Sequence, residues 1–168
     1  MTRIGLISDT HSHIDERILH YFDEVDEIWH AGDIGSMEVL EKLEAHKPTR
    51  AVYGNIDNAQ IRSATEHIHR ISVEGMNFWM IHIGGRPGKY SKGIHESLVA
   101  ERPDVFICGH SHICKVQQDA RYDMLYINPG AAGVQGFHKV RTMLRFCVHA
   151  GKMSDLEVIE LGLRGTEL

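Results

Sequence analysis

The chain has 168 residues, 42% of them apolar and 24% charged, and a net charge of −5 with histidine neutral. That length favours one domain over 1–168 with one sizeable core, and the absence of a Lys/Arg run argues against wrapping nucleic acid through its phosphates. No segment approaches the ~18 consecutive apolar residues of a membrane-crossing helix, and the first residues run straight into a strand-like segment, so the cytoplasm is the expected location.

Arg3 to Ser8 (RIGLIS) reads as a buried strand opening into Asp-Thr-His. Asp15 to Phe22 places Ile18, Leu19 and Phe22 at helical spacing. Glu27 to Ala31 is a second short strand. Ser36 is positioned to cap a helix through Met37, Leu40, Leu43 and Ala45, stopped near Pro48. Thr49 to Tyr53 is a third strand, ended by Gly54-Asn55. Strand, helix, strand, helix, strand is the pattern of right-handed crossovers and a parallel sheet.

The second half is richer in strands. His67–Val73 and Asn77–Ile83 flank Glu74-Gly75-Met76 and read as a hairpin. A helix is expected over Lys92 to Glu101, then a buried strand from Val105 to Cys108. Lys115–Asp119 with Met124–Ile127, and Thr142–His149 with Leu156–Leu161, read as antiparallel pairs. The predicted architecture is a four-layer α/β/β/α sandwich with mixed sheets. Its antiparallel edges make a homo-oligomer one expectation.

Three cysteines, Cys108, Cys114 and Cys147, form no CxxC pair, which argues against a disulfide scaffold and a thiolate zinc site. They are expected as small buried or half-buried thiols in a reducing compartment. Thirteen histidines are the anomaly, and several fall where apolar runs end. The runs close on Asp9-Thr10-His11-Ser12-His13, Gly32-Asp33, Gly54-Asn55, His82 and Gly109-His110-Ser111-His112. Open α/β sheets bind ligands outside the carboxyl ends of their strands, so five ends would deliver carboxylates, an amide and imidazoles to one region.

Alternate residues of an extended segment share a face, so Asp-x-His and His-x-His each aim two donors together. Oxygen and imidazole donors without sulfur suit manganese, iron, zinc or nickel rather than calcium. Seven donors exceed the four of one structural zinc and fit two ions sharing a carboxylate, with Asp33 as the bridge. The glycines before Asp33, Asn55 and His110 are expected to let the backbone turn tightly.

This ordered set, D-x-H, G-D, G-N, H and G-H-x-H, resembles the calcineurin-like metallophosphoesterase superfamily from Ile4 to about Gly130. Asn128-Pro129-Gly130 resembles the turn that follows the last metal motif in the small single-domain phosphodiesterases of that group. The resemblance implies a dinuclear site at strand C-terminal ends. Asp9, His11 and His112 would hold one metal and Asn55, His82 and His110 the other, with Asp33 shared. Two divalent ions per chain are implied, manganese first, with iron, zinc, nickel or cobalt as alternatives. The implied activity is hydrolysis of a small-molecule phosphate ester, a phosphodiester first, by hydroxide formed from water between the ions. Asn55, Asp57 and His110 are the candidate catalytic residues.

Two departures stand out. Many members have Gly-Asn-His, whereas Ile56 follows Asn55 here and transfers no proton, leaving Asp57, water or nothing to assist the leaving group. Gly84 stands where many relatives have a His two positions after His82. His13 is a reserve ligand, and His30 a core or supporting imidazole. His67 and His69 are expected to face outward from a hairpin strand. His20, His46, His95, His138 and His149 are expected on the surface or in packing. Arg86 and Lys89 lie in a Gly-rich loop that reads as solvated, with attraction of a phosphate as its second reading. A barrel amidohydrolase or PHP-type hydrolase needs ~250 residues and leaves Gly32-Asp33 and Gly54-Asn55 without a role. The other rival is a metal-binding scaffold for protein partners, like the retromer small subunit.

Overall fold

The computed structural model describes residues 1–165. In chain order its elements begin β1 (Thr2–Ile7), α1 (Glu16–Phe22), β2 (Glu27–His30), α2 (Met37–His46), β3 (Thr49–Ala51), α3 (Ala59–Ala64), β4 (Ile68–Val73) and β5 (Met76–Ile81). They continue with β6 (Gly85–Arg86), β7 (Lys89–Tyr90), α4 (Ile94–Ala100), β8 (Val105–Ile107), β9 (Cys114–Asp119), β10 (Met124–Pro129), β11 (Val140–His149) and β12 (Lys152–Leu163).

Two mixed five-stranded sheets result, ordered β12-β11-β1-β2-β3 and β4-β5-β8-β10-β9, beside a small β6-β7 hairpin. As the strand-helix alternation predicted, β1, β2 and β3 run parallel. The expected antiparallel pairs β4–β5, β9–β10 and β11–β12 are present.

Side chains alternate across each strand, so each sheet feeds two cores. Ile18 and Phe22 of α1 and Val39, Leu40 and Leu43 of α2 pack with Ile7 and Ile28 on the outer face of the first sheet. Ile4, Leu6 and Trp29 face Phe78, Met80 and Ile107 between the sheets. Trp79, Phe106 and Tyr126 point the other way and are covered by Ile94 and Leu98 of α4. Three cores between four layers give the predicted α/β/β/α order.

Local boundaries differ in instructive ways. Asp15 is the N-cap of α1, its carboxylate accepting from the Ile18 N–H at 3.0 Å. Ser36 caps α2 by backbone alone. β3 stops at Ala51, and Val52 makes only an isolated bridge to Glu66. The unpredicted α3 is six residues long and buries only Ile61, too little for an apolar period, though Asn58 caps it by accepting from the Ile61 N–H. The β6–β7 hairpin replaces the expected loop. Its turn is Pro87 followed by Gly88 at φ 82°, a pairing that favours tight reversal. Cys108 and Cys147 are buried and Cys114 half-buried, all as free thiols. Among the described residues no helix is long and apolar enough to cross a membrane.

Candidate metal centre

The loops after β1, β2 and β8, together with His82 directly after β5, bring six side chains into two groups. Asp9, His11 and His112 form one, and Asp33, His82 and His110 the other, with the ligand atoms of each group within 4.8 Å of one another. One oxygen faces both: Asp33 Oδ2 lies 3.4 Å from His11 Nε2 and 3.2 Å from His82 Nε2. Asp9 Oδ1 stands 3.2 Å from His112 Nε2 and 3.9 Å from the Nε2 atoms of His11 and His82.

Asp9 Oδ1, His11 Nε2 and His82 Nε2 are buried without a hydrogen-bond partner. Such atoms cost about 1–3 kcal/mol each when left alone. Three converging here, all of oxygen or imidazole chemistry, fit divalent cations as their missing partners.

The tautomers follow from the outer contacts. His82 Nδ1 lies 2.8 Å from the Ala31 carbonyl, which only accepts, so this nitrogen carries the proton and Nε2 offers a lone pair. His138 Nε2 likewise donates to the Gly133 carbonyl at 2.9 Å. Its Nδ1 then accepts from His112 Nδ1 at 3.2 Å, which leaves His112 Nε2 bare toward Asp9. His138, expected in packing or on the surface, therefore orients His112. Burial holds its pKa below the ordinary histidine value, which keeps that Nδ1 an acceptor. Burial also opposes charge on His82, but the Asp33 and Asp9 carboxylates outweigh it and raise its pKa.

Five of these six residues, Asp9, His11, Asp33, His110 and His112, have positive φ, between 46° and 70°. Such backbone costs on the order of 1 kcal/mol each and persists only when its surroundings hold it. The loops hold one another: Asp9 N–H donates to the Gly32 carbonyl, His11 N–H to Asp33 and Gly109 N–H to His82. Asn128, in the predicted Asn-Pro-Gly turn, donates to the Gly109 carbonyl and Ser111 Oγ. Gly32, before Asp33, turns tightly as expected, at φ 99°, whereas Gly54 and Gly109 act differently. A Cβ on Gly54 would sit 2.0 Å from Asp33 Oδ1, and one on Gly109 2.2 Å from Ser8 Oγ. They are small so that loops can touch, and the residues that follow them in the loops, Asn55 excepted, carry the positive φ.

Asp57 is a correction. Its carboxylate accepts N–H groups from Ile34 at 3.1 Å, Gly35 at 2.8 Å and Gly54 at 2.8 Å. Both oxygens are thus occupied by backbone beneath the Asp33 turn, and the side chain positions that turn rather than facing the site as a proton donor. His13 contacts Asp15 at 2.9 Å instead of joining either group. His30 is fully buried, and Gly32 N–H donates to its Nδ1 at 3.1 Å while Nε2 meets Thr10 Oγ1 at 2.9 Å. It ties the Asp9 loop to the Asp33 loop, as a supporting imidazole should. Asn55 is exposed and lines a small cleft with His82, Tyr53 and His67. His67, whose ring centroid is 5.5 Å from that of Tyr53, therefore stands beside the site.

A family model described as the calcineurin-like phosphoesterase superfamily domain matches residues 2–151, and the chain belongs to that superfamily of metal-dependent phosphoesterases. A probable metallophosphoesterase of Methanothermobacter thermautotrophicus is 31% identical over 95% of this chain and 92% of its own. A phosphodiesterase of Methanocaldococcus jannaschii is 25% identical over 76% of this chain and 82% of its own. Among solved structures, a novel archaeal phosphodiesterase superposes with TM-score 0.76 at 23% identity, covering 95% of this chain and 99% of that one. Zinc-complexed Vps29 from Entamoeba histolytica superposes with TM-score 0.73 at 14% identity over 95% and 98%. The last two speak for the fold.

Proposed function

We propose that the protein is a phosphodiesterase working with two divalent ions, manganese first among them. Asp9, His11 and His112 hold one, Asn55, His82 and His110 the other, and Asp33 serves both. The observation that carries this reading is Asp33 Oδ2, which lies between two imidazole nitrogens that each lack a proton donor or acceptor. Bound there, the cations would lower the pKa of water toward ~7 and offset charge on the phosphoryl oxygens. The chain's own residues supply position. His82 and His112 are turned by the Ala31 carbonyl and by His138 so that their lone pairs point inward. Exposed Asn55 and His110 stand at the mouth, where Asn55 can orient a phosphate oxygen.

Neither residue after Asn55 is placed to protonate the leaving group: Ile56 has no titratable atom, and the Asp57 oxygens are occupied. Esters of acidic alcohols should therefore react faster than alkyl esters, and a rate flat in leaving-group pKa would sink that expectation. The direct test adds Mn²⁺ to metal-free protein and assays an aryl phosphodiester and the matching monoester beside Asp33→Ala. Metal-dependent diester turnover that vanishes in the variant supports the reading. Two bound metals without turnover would favour the scaffold instead.

A further inference from the structure

Beyond His110, away from the Asn55 side, opens a cleft of about 770 Å³ between the β6–β7 hairpin and the start of β9. That is the size range of sites for small organic ligands. Its lining is distinctive for a chain of net charge −5: Arg86, Lys89 and Lys115 contribute cations and no carboxylate contributes at all. Among the described residues none of the three makes an ion pair or a side-chain hydrogen bond. Elsewhere arginines are engaged: Arg50 with Glu27, Arg141 with Asp15, Arg145 with Glu157. Among the described residues only Arg86 and Arg121 have a guanidinium without an ion pair or hydrogen bond, and Arg121 lies over the Tyr122 ring, so Arg86 points to a partner outside the chain.

The rest of the lining is apolar in character. Ile83 and Ile113 are 43% and 64% exposed, unusual for isoleucines beside a site. Tyr126, 2% exposed, donates its hydroxyl to the Gly85 carbonyl at 2.7 Å and half-buried Tyr90 to Asp119 at 2.6 Å, so both hydroxyls are committed inside the protein and Tyr90 offers its ring. Asp119, the nearest carboxylate to these rings, is 7% exposed and turned onto Tyr90. The smaller cleft on the other side of Ile83 holds Arg62, but that guanidinium already donates to the Asp57 and Gly54 carbonyls. The two sides of the centre therefore differ in free charge.

We propose, resting on the phosphodiesterase reading, that this cleft receives one ester arm of the substrate, and that the arm joins a flat apolar body to a second anionic group. Guanidinium and ammonium groups bind carboxylate and phosphate oxygens alike, Arg in a bidentate fork. Ile83, Ile113 and the Tyr90 ring cover the flat part, while His110 stands where the scissile phosphate must lie.

The test uses Mn²⁺-loaded protein and three diaryl phosphodiesters that differ only on one ring: unsubstituted, carboxylated or phosphorylated. Both kcat/KM and, by calorimetry, Kd are read for each. The charged probes should be favoured by about tenfold, less in high salt, and the better of the two identifies the anion. Arg86→Glu with Lys89→Glu should bring the charged-to-uncharged ratio to one or below, and Lys115→Gln should reduce it partway. Equal constants for all three probes, or a preference that survives charge reversal, overturns the proposal. If no probe is turned over, the phosphodiesterase reading fails but the cleft is still decided. Tighter binding of charged probes that is lost on charge reversal upholds it, and equal binding rejects it.

Discussion

His82 itself is braced by backbone, with a carboxylate beneath the turn beside it. Its Nδ1–H meets the Ala31 carbonyl, and Asp57 gathers three N–H groups beneath the neighbouring turn of Asp33. Around His112 the support is another side chain, His138, itself anchored on the Gly133 carbonyl. His82 is also the deeper of the two, 2% exposed where His112 is half-buried, although His110 beside it is exposed and Asp9 beside His112 is buried. A backbone brace survives substitution of the residue that supplies it, and a side-chain brace does not. His82 is thus oriented by the fold and His112 by one imidazole, with His30 as the joint between the Asp9 and Asp33 loops.

Asp33→Ala breaks both halves together. Turnover should fall by on the order of 10³-fold or more, about 4 kcal/mol of barrier, and bound metal should drop below one equivalent per chain. Retention of two equivalents would show that Asp33 is not shared.

Asp57→Ala acts on the Asp33 turn through stability. Three N–H groups lose their acceptors, which should cost about 3 kcal/mol in urea unfolding of the metal-free protein. A loss under ~1 kcal/mol would mean water replaces the carboxylate there.

His30 tests the joint by pH. Burial pushes its pKa down to about 4 from the ordinary 6.5, the Asp57 and Asp9 charges opposing only in part. The folded protein therefore refuses a proton that the unfolded chain accepts. Its contribution to stability is complete above pH 6.5 and is lost as pH falls toward 4, by about 2 kcal/mol at pH 5. His30→Asn, which keeps an acceptor for the Gly32 N–H, should flatten that part of the stability profile relative to the parent. Parallel profiles would remove His30 from the account.

His138→Ala sharpens the comparison with the smallest effect. His112 loses the acceptor that selects its tautomer, and one metal should bind about tenfold more weakly in chelator competition while the other is unmoved. His138→Gln restores an acceptor and should recover most of the affinity. Equal weakening of both metals would show that the two halves are not separable.

The clustered donors were legible because each follows the end of an apolar strand. Strand periodicity and its ending are local patterns, and the rule that ligands gather at strand C-termini carried Asp9, His11, Asp33, His82, His110 and His112 into one region. Asn128-Pro129-Gly130 was legible as a turn, though its hold on the Gly109 carbonyl was not. The β6–β7 reversal had a usable signal in Pro87-Gly88, hidden by the surrounding glycines. Asp57 looked like a donor for the leaving group because it stands two residues after Asn55. Its actual partners, Ile34 and Gly35, are remote in the chain. His138 carried no signal at all, since a lone histidine in a loop resembles any surface imidazole.

The sequence by itself determined the layer order, the strand ends and the kinds of donor atom, because hydrophobic period and residue chemistry are properties of short segments. Only the tertiary structure decided which nitrogen of each histidine faces inward, which carboxylate braces the backbone, and which cations stand without partners. Those depend on hydrogen bonds and charges contributed by segments distant in the chain, and no local pattern encodes the distance between them.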